Sequence, residues 1–314
     1  MKISLIDPLV VDDEIIEGHK KKLEDLGHEF EYFKESASSD EEIIKRLKDS
    51  DVAMITNNKF SRNVIENTNL KLIDVAFTGV DHVDLKACNE NDIAVLNASG
   101  YSDDSVAELV IGMIVSIMRK FDLNRENMYQ GKDNNLLGEL IKGKTVGVVG
   151  TGKIGLEVMR LLKAFGANIL AYNRSKKDEA KKLGAEYVGL DELLEKSDIV
   201  TIHLPQNDET IKFIGKDELD KMKDGAILIN CARGPIVDNN YLAKLLNEDK
   251  LRAGVDVFDM EPPIDKDYPL RNTKNTVLTN HIAFFTKEAM KIRCDIVFDN
   301  LYKYLEGEIV NRVN

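Results

Sequence analysis

Two sets of residues in this 314-residue sequence have types and spacings that could do chemistry together. One is a trio at the ends of predicted strands: Arg233 after AILINCA, Glu261 after AGVDVFDM and His281 after TVLTN. A guanidinium can clamp a carboxylate through two parallel hydrogen bonds. A histidine that titrates near neutral pH can hand a proton to a carbonyl oxygen, and a carboxylate beside it favours its protonated form. A carbonyl needs these groups when hydride arrives at its carbon and negative charge develops on its oxygen. The other set is Gly150-Thr151-Gly152-Lys153-Ile154-Gly155. Before it stand Val146, Val148 and Val149, and Ile154, Val158, Leu161, Leu162 and Phe165 follow at helical spacing. Strand, glycine turn and helix in that order form a dinucleotide fingerprint. Gly150 allows the turn, Gly152 lets the backbone approach a pyrophosphate, Gly155 lets the helix pack on its strand, and the helix N-terminus aims free N–H groups at the phosphates. The glycine spacing alone is weak evidence, and the flanking strand and helix make it specific.

The elements that must position these residues follow a regular rhythm. In the first hundred residues, β-type runs (ISLID, DVAMIT, LKLIDVAF, IAVLNA) alternate with polar helical segments such as EIIEGHKKKLEDLG and DEEIIKRLKDS. From Thr145 a second series runs through TVGVVG, NILAYN, DIVTIHLP, AILINC, AGVDVF and TVLTNHIAF. Each series predicts a parallel sheet flanked by helices, so the fold class is α/β with two domains. Between the two series, GYSDDSVAELVIGMIVSIMRKF predicts a long, largely buried helix opened by a capping box of Ser105 and Glu108. After it comes a polar segment from Asn124 to Lys144, and EAMKIRCDIVFDNLYKYL predicts a final amphipathic helix. Ligands of such sheets bind beyond the carboxyl ends of the strands, where Arg233, Glu261 and His281 fall.

Lys and Arg number 43 against 55 Asp and Glu, a formal charge of −12. An acidic surface repels phosphate backbones and anionic lipid, so neither nucleic acid nor membrane is expected as a partner. The chain opens into a predicted strand, MKISLI, without a leader pattern, and its longest apolar stretch, Leu109 to Met118, is too short to span a bilayer. The expectation is a soluble, cytoplasmic protein. Cys88, Cys231 and Cys294 have neither disulfide nor zinc-ligand spacing, and are read as reduced, buried thiols, with no metal site.

Taken in order, AFTGVDHVDL, NASGYSDDSVAELVIGM, KTVGVVGTGKIG, DIVTIHLPQNDET, LINCARGPIVDNNYLAKLL, AGVDVFDMEPP and TNHIAFFTKEA resemble the D-isomer-specific 2-hydroxyacid dehydrogenases along nearly the whole chain. The resemblance implies a Rossmann cofactor domain, residues 100–282, inserted into a flavodoxin-like substrate domain of residues 1–99 and 283–314, with the active site in the cleft between them. It implies reduction of a small 2-oxo acid to a D-2-hydroxy acid by NAD(P)H, and a homodimer through the cofactor domain, with Met128 and Tyr129 near the contact. Residue by residue, Arg233 holds the substrate, His281 is the acid/base and Glu261 pairs with His281. Backbone N–H groups around Thr78, Gly79 and Val80 cradle the substrate carboxylate, and Tyr101 lines the pocket. Cofactor contacts are implied for Lys153, Ile154, Leu204, Pro205, Thr210, Cys231, Ala232, Arg233 and His281, and for Asp256 with the nicotinamide amide. Independently of the resemblance, Gly79 suits close backbone approach to an anion, and Asp256, inside an apolar run, needs a hydrogen-bonding partner.

The sequence departs from the pattern at the end of AYNRSKK. Asn173-Arg174-Ser175 stands where NAD-binding proteins carry an acidic residue for the ribose hydroxyls, about twenty positions after the glycines. Arg174, with Ser175 and Lys176, could hold a 2′-phosphate instead. A hydrogen bond to a charged group contributes about 1.5–3 kcal/mol, one to two decades of affinity, which tips the expectation towards NADP(H) over NAD(H). Asn280 replaces a frequent Pro before the histidine. The Phe284-Phe285 pair suggests the hydroxypyruvate, D-lactate or corepressor-like branches, and the absence of sequence after Asn314 counts against the phosphoglycerate branch. The alternatives are a phosphoglycerate dehydrogenase-like enzyme, a dinucleotide-sensing, corepressor-like binding protein and, resembling the chain less, a formate dehydrogenase-like hydride donor.

Overall fold

A computed structural model describes residues 1–133 and 136–314. The chain divides into two compact units, Met1–Ser102 with Phe285–Asn314, and Asp103–Phe284. The first holds strands β1 (Lys2–Leu5), β2 (Glu29–Tyr32), β3 (Val52–Ile55), β4 (Leu72–Val75) and β5 (Ala94–Asn97). All pairs are parallel, in the order β2-β1-β3-β4-β5, the flavodoxin-like arrangement. Every residue of β3, β4 and β5 is buried, as expected of strands covered on both faces. β2 is an addition to the sequence reading. Its segment, EFEY, alternates charge with aromatics and buries only Phe30. The predicted final helix forms over Lys287–Leu305, opened by Thr286, whose hydroxyl accepts from Ala289 N at 3.1 Å.

The second unit carries β6 (Thr145–Val149), β7 (Asn168–Tyr172), β8 (Glu186–Tyr187), β9 (Ile199–Ile202), β10 (Ala226–Asn230), β11 (Leu251–Val255) and β12 (Thr276–Leu278). They form one parallel sheet in the order β12-β11-β10-β9-β6-β7-β8. This is the Rossmann order with a seventh strand, and the order reverses between β6 and β9. One apolar layer joins the helices Asp103–Arg119 and Lys153–Ala164 to the sheet, and a second on the other face includes Leu193, Leu219, Leu242 and Leu246. The long helix begins at Asp103, so Ser105 lies inside its first turn and does not open a capping box at the start. The start of the segment read as merely polar, Asn124 to Lys144, belongs to a further helix, Phe121–Tyr129.

Candidate active site

The glycine turn has the geometry its sequence implied. β6 ends at Val149, Gly150 takes φ +99°, and the helix starts at Lys153 with Gly152 as its N-cap. A Cβ on Gly150 would lie 2.4 Å from the carbonyl oxygen of His203, and one on Gly155 would lie 2.1 Å from the carbonyl oxygen of Gly150. Both positions exclude any side chain because the obstructing atoms are backbone. A Cβ on Gly152 would meet nothing within 4 Å. That open space at a helix N-terminus fits a pyrophosphate, with Lys153 and Ile154 as the first helical residues.

The end of β7 is tied to this turn. Asn173 Oδ1 accepts from Thr151 N at 3.3 Å, and Asn173 Nδ2 donates to the Ser175 carbonyl at 2.8 Å. Tyr187 Oη donates to Thr151 Oγ1 at 3.0 Å and accepts from Lys177 N at 2.9 Å. Arg174 extends outward, its Nη1 donating to Glu209 Oε2 at 2.8 Å. Leu204, Pro205 and Thr210 follow β9, where Thr210 Oγ1 donates to the Pro205 carbonyl at 2.7 Å. All three cysteines are free and buried; Cys231 Sγ lies 3.8 Å from Met113 Sδ, and burial pushes its thiol well above the ordinary range.

Arg233, Asp256 with Glu261, and His281 come from the carboxyl ends of β10, β11 and β12, three strands adjacent in the sheet. Arg233 leads a short 3-10 turn, Gly234–Ile236, and donates from Nη1 to the Ala232 carbonyl at 2.8 Å. Gly234 permits this crowding, since a Cβ there would lie 2.0 Å from the Phe258 carbonyl oxygen. His281 Nδ1 is 2.7 Å from Glu261 Oε2, and because a carboxylate only accepts, Nδ1 carries the proton in this pair. The Phe284 ring meets the imidazole edge-to-face at 5.6 Å.

His281 itself has φ +55°, left-handed backbone that is uncommon outside glycine. The cause lies in Asp256, a residue for which the sequence demanded only some partner. Its carboxylate accepts from Thr279 Oγ1 at 2.5 Å, Ile282 N at 2.8 Å and Ala283 N at 2.8 Å, while its carbonyl accepts from His281 N at 2.9 Å. Four bonds from one buried residue over-determine the loop and hold the histidine in this conformation. A carboxylate inside an apolar run signals Asp256, whereas nothing in the sequence signals Thr279. His203, at the end of β9, is a second histidine, and its carbonyl packs against Gly150. It shares a 2.9 Å hydrogen bond with Thr201 Oγ1, and desolvation pushes its pKa down to about 3, so it is neutral at working pH and unsuited to supply a proton.

Thr78, Gly79, Val80 and Tyr101 belong to the first unit. The first three follow β4, where the Thr78 carbonyl accepts from Asn97 Nδ2 at 2.8 Å. Tyr101 is buried, its ring 6.3 Å from that of Phe77.

The model of the D-isomer specific 2-hydroxyacid dehydrogenase NAD binding domain matches residues 111–283. A hydroxypyruvate reductase of Blautia hydrogenotrophica is 34% identical over 306 residues, covering 94% of each chain. The chain belongs to the D-isomer-specific 2-hydroxyacid dehydrogenase family. A D-3-phosphoglycerate dehydrogenase of Methanocaldococcus jannaschii is 36% identical over 312 residues, 97% of this chain, which spans 59% of that relative's length. Among solved structures, an acyclic imino acid reductase in complex with NADPH and D-Arg matches with a TM-score of 0.90 and 29% identity over the whole of both chains. For this family member, the Rossmann unit is therefore a nicotinamide dinucleotide-binding domain.

Proposed function

We propose that the chain reduces small 2-oxo acids to D-2-hydroxy acids, with a nicotinamide dinucleotide as hydride carrier. The observation that carries this reading is the His281–Glu261 pair, 2.7 Å apart on strand ends of a dinucleotide-binding sheet. A bound nicotinamide supplies the hydride. The protein's own work is protonic and electrostatic. Glu261 fixes the proton on Nδ1 of His281, which leaves Nε2 to deliver a proton to the developing alkoxide, and in the reverse direction to take one. Arg233 clamps the substrate carboxylate and polarises the carbonyl. In the first unit, read as the substrate-binding domain, the backbone N–H groups around Thr78, Gly79 and Val80, with Tyr101, are the substrate-binding residues. Asp256 acts on catalysis through the loop that carries His281.

Arg174 and Ser175 favour NADP(H) modestly over NAD(H). A homodimer through the second unit is supported by Phe121, Leu123, Met128, Tyr129, Leu137 and Leu140, large apolar side chains from about half to nine-tenths exposed. No helix among the described residues is long and apolar enough to cross a membrane. A phosphorylated hydroxy acid is the second reading, favoured by the 36% identity to the phosphoglycerate dehydrogenase. A panel of glyoxylate, hydroxypyruvate, pyruvate and phosphohydroxypyruvate, run with each reduced cofactor, tests both. Turnover on the first three acids supports the main reading. Preference for the phosphorylated acid selects the second, and no turnover on any rejects both.

A further inference from the structure

The β7 end lacks the carboxylate that receives ribose hydroxyls in NAD-binding folds, yet a carboxylate is present there from elsewhere. Glu209 lies 35 positions beyond Arg174 and reaches it across the sheet, with Oε2 2.8 Å from Nη1. The loop that presents it is braced from within. Glu209 N donates to Asn207 Oδ1 at 3.0 Å, Asn207 N donates to Thr210 Oγ1 at 2.8 Å, and that hydroxyl donates to the Pro205 carbonyl at 2.7 Å. The side chains of Arg174 and Glu209 are 80% and 74% exposed, so the pair itself adds little stability. Its interest is where it puts a negative charge.

We propose that Glu209 is the residue that sets cofactor preference, accepting the ribose hydroxyls of NAD(H) in place of the missing β7 carboxylate and competing with the 2′-phosphate of NADP(H) for Arg174. This rests on the reading of the second unit as a dinucleotide site, and deepens it. A 2′-phosphate carries nearly two negative charges at neutral pH and is best held by an arginine with no other anion on it. A carboxylate already bound to that guanidinium repels the phosphate and must be displaced. For NAD(H) the same carboxylate is an acceptor. Glu209 therefore pulls the two cofactors in opposite directions and holds an Arg174-driven preference for NADP(H) to a modest one.

The test is fluorescence titration of NADPH and NADH onto wild-type protein, Glu209→Gln and Arg174→Ala at one fixed ionic strength. Glu209→Gln is expected to shift the ratio of the two dissociation constants about tenfold towards NADPH, and Arg174→Ala to shift it towards NADH. Both side chains are exposed, so melting temperatures should not move, and a purely structural effect would change both affinities together. A ratio in Glu209→Gln that stays within twofold of wild type, or moves towards NADH, overturns the proposal. Failure of wild-type protein to bind either cofactor would remove the dinucleotide reading and the proposal with it.

Discussion

Gly152 and Gly155 are three residues apart on the same turn, and substituting alanine for each should produce opposite phenotypes. Gly152 has φ −70° and ψ −171°, angles alanine adopts freely, and its added methyl would meet no protein atom within 4 Å. Alanine restricts the unfolded chain, a gain of about 0.4–1 kcal/mol, but is a poorer N-cap than glycine by an amount of similar size. The two effects offset each other and the melting temperature should stay put. The methyl would, however, occupy the path of a pyrophosphate, so cofactor dissociation constants should rise at least tenfold, roughly 1.4 kcal/mol. At Gly155 the added methyl would lie 2.1 Å from the Gly150 carbonyl oxygen, a backbone atom that cannot swing aside. Overpacking of this kind costs about 1–3 kcal/mol. For a unit of this size that is a fall of roughly 2–12 °C. Circular dichroism melting of the cofactor-free variants, with NAD(P)H fluorescence titration, reads both effects. Wild-type cofactor affinity in Gly152→Ala would refute the placement of the pyrophosphate. A melting loss in Gly152→Ala as large as that in Gly155→Ala would refute the packing argument.

His281→Ala should lower kcat by about 10²–10⁴, the usual contribution of a general acid, with cofactor binding retained, and unchanged turnover in steady-state assays would sink the assignment. In the first unit, Asp74 on β4 is fully buried with its Oδ1 accepting from Asn300 Nδ2 at 3.0 Å and its Oδ2 unpartnered, and burial pushes its pKa up to about 8. The folded chain then holds a proton that the unfolded chain releases near pH 4. Stability from this group is full below pH 4 and declines as pH rises to about 8, by up to about 4 kcal/mol at pH 7. Asp74→Asn cannot ionise, so its melting temperature should gain on wild type steadily between pH 5 and 8, and parallel curves would contradict the assigned shift.

What the sequence made legible was what is local. The fingerprint is contiguous, its periodicity changes from strand to helix within a few residues, and the structure keeps it intact. β2 escaped because its charged residues face outward at the edge of the sheet, and β8 because two residues carry no pattern. The start of the long helix was misjudged because Ser102, Asp103, Asp104 and Ser105 are all residues that cap helices. The left-handed backbone at His281 depends on a carboxylate 25 positions earlier, and the Arg174–Glu209 pair joins two loops from opposite sides of the sheet's reversal point. Neither can be found from spacing, because each is a consequence of which strands lie side by side.

The activity proposed for this protein is hydride transfer to a 2-oxo acid with a defined hand. Its most direct test is incubation of wild-type protein with NADH or NADPH and glyoxylate, hydroxypyruvate or pyruvate, following loss of reduced cofactor and resolving the enantiomers of the chiral products. Stoichiometric oxidation of the cofactor is expected, with D-glycerate or D-lactate as product. Tight cofactor binding without oxidation on any acid, as expected of a dinucleotide-sensing protein, or formation of the L-enantiomer, would contradict it.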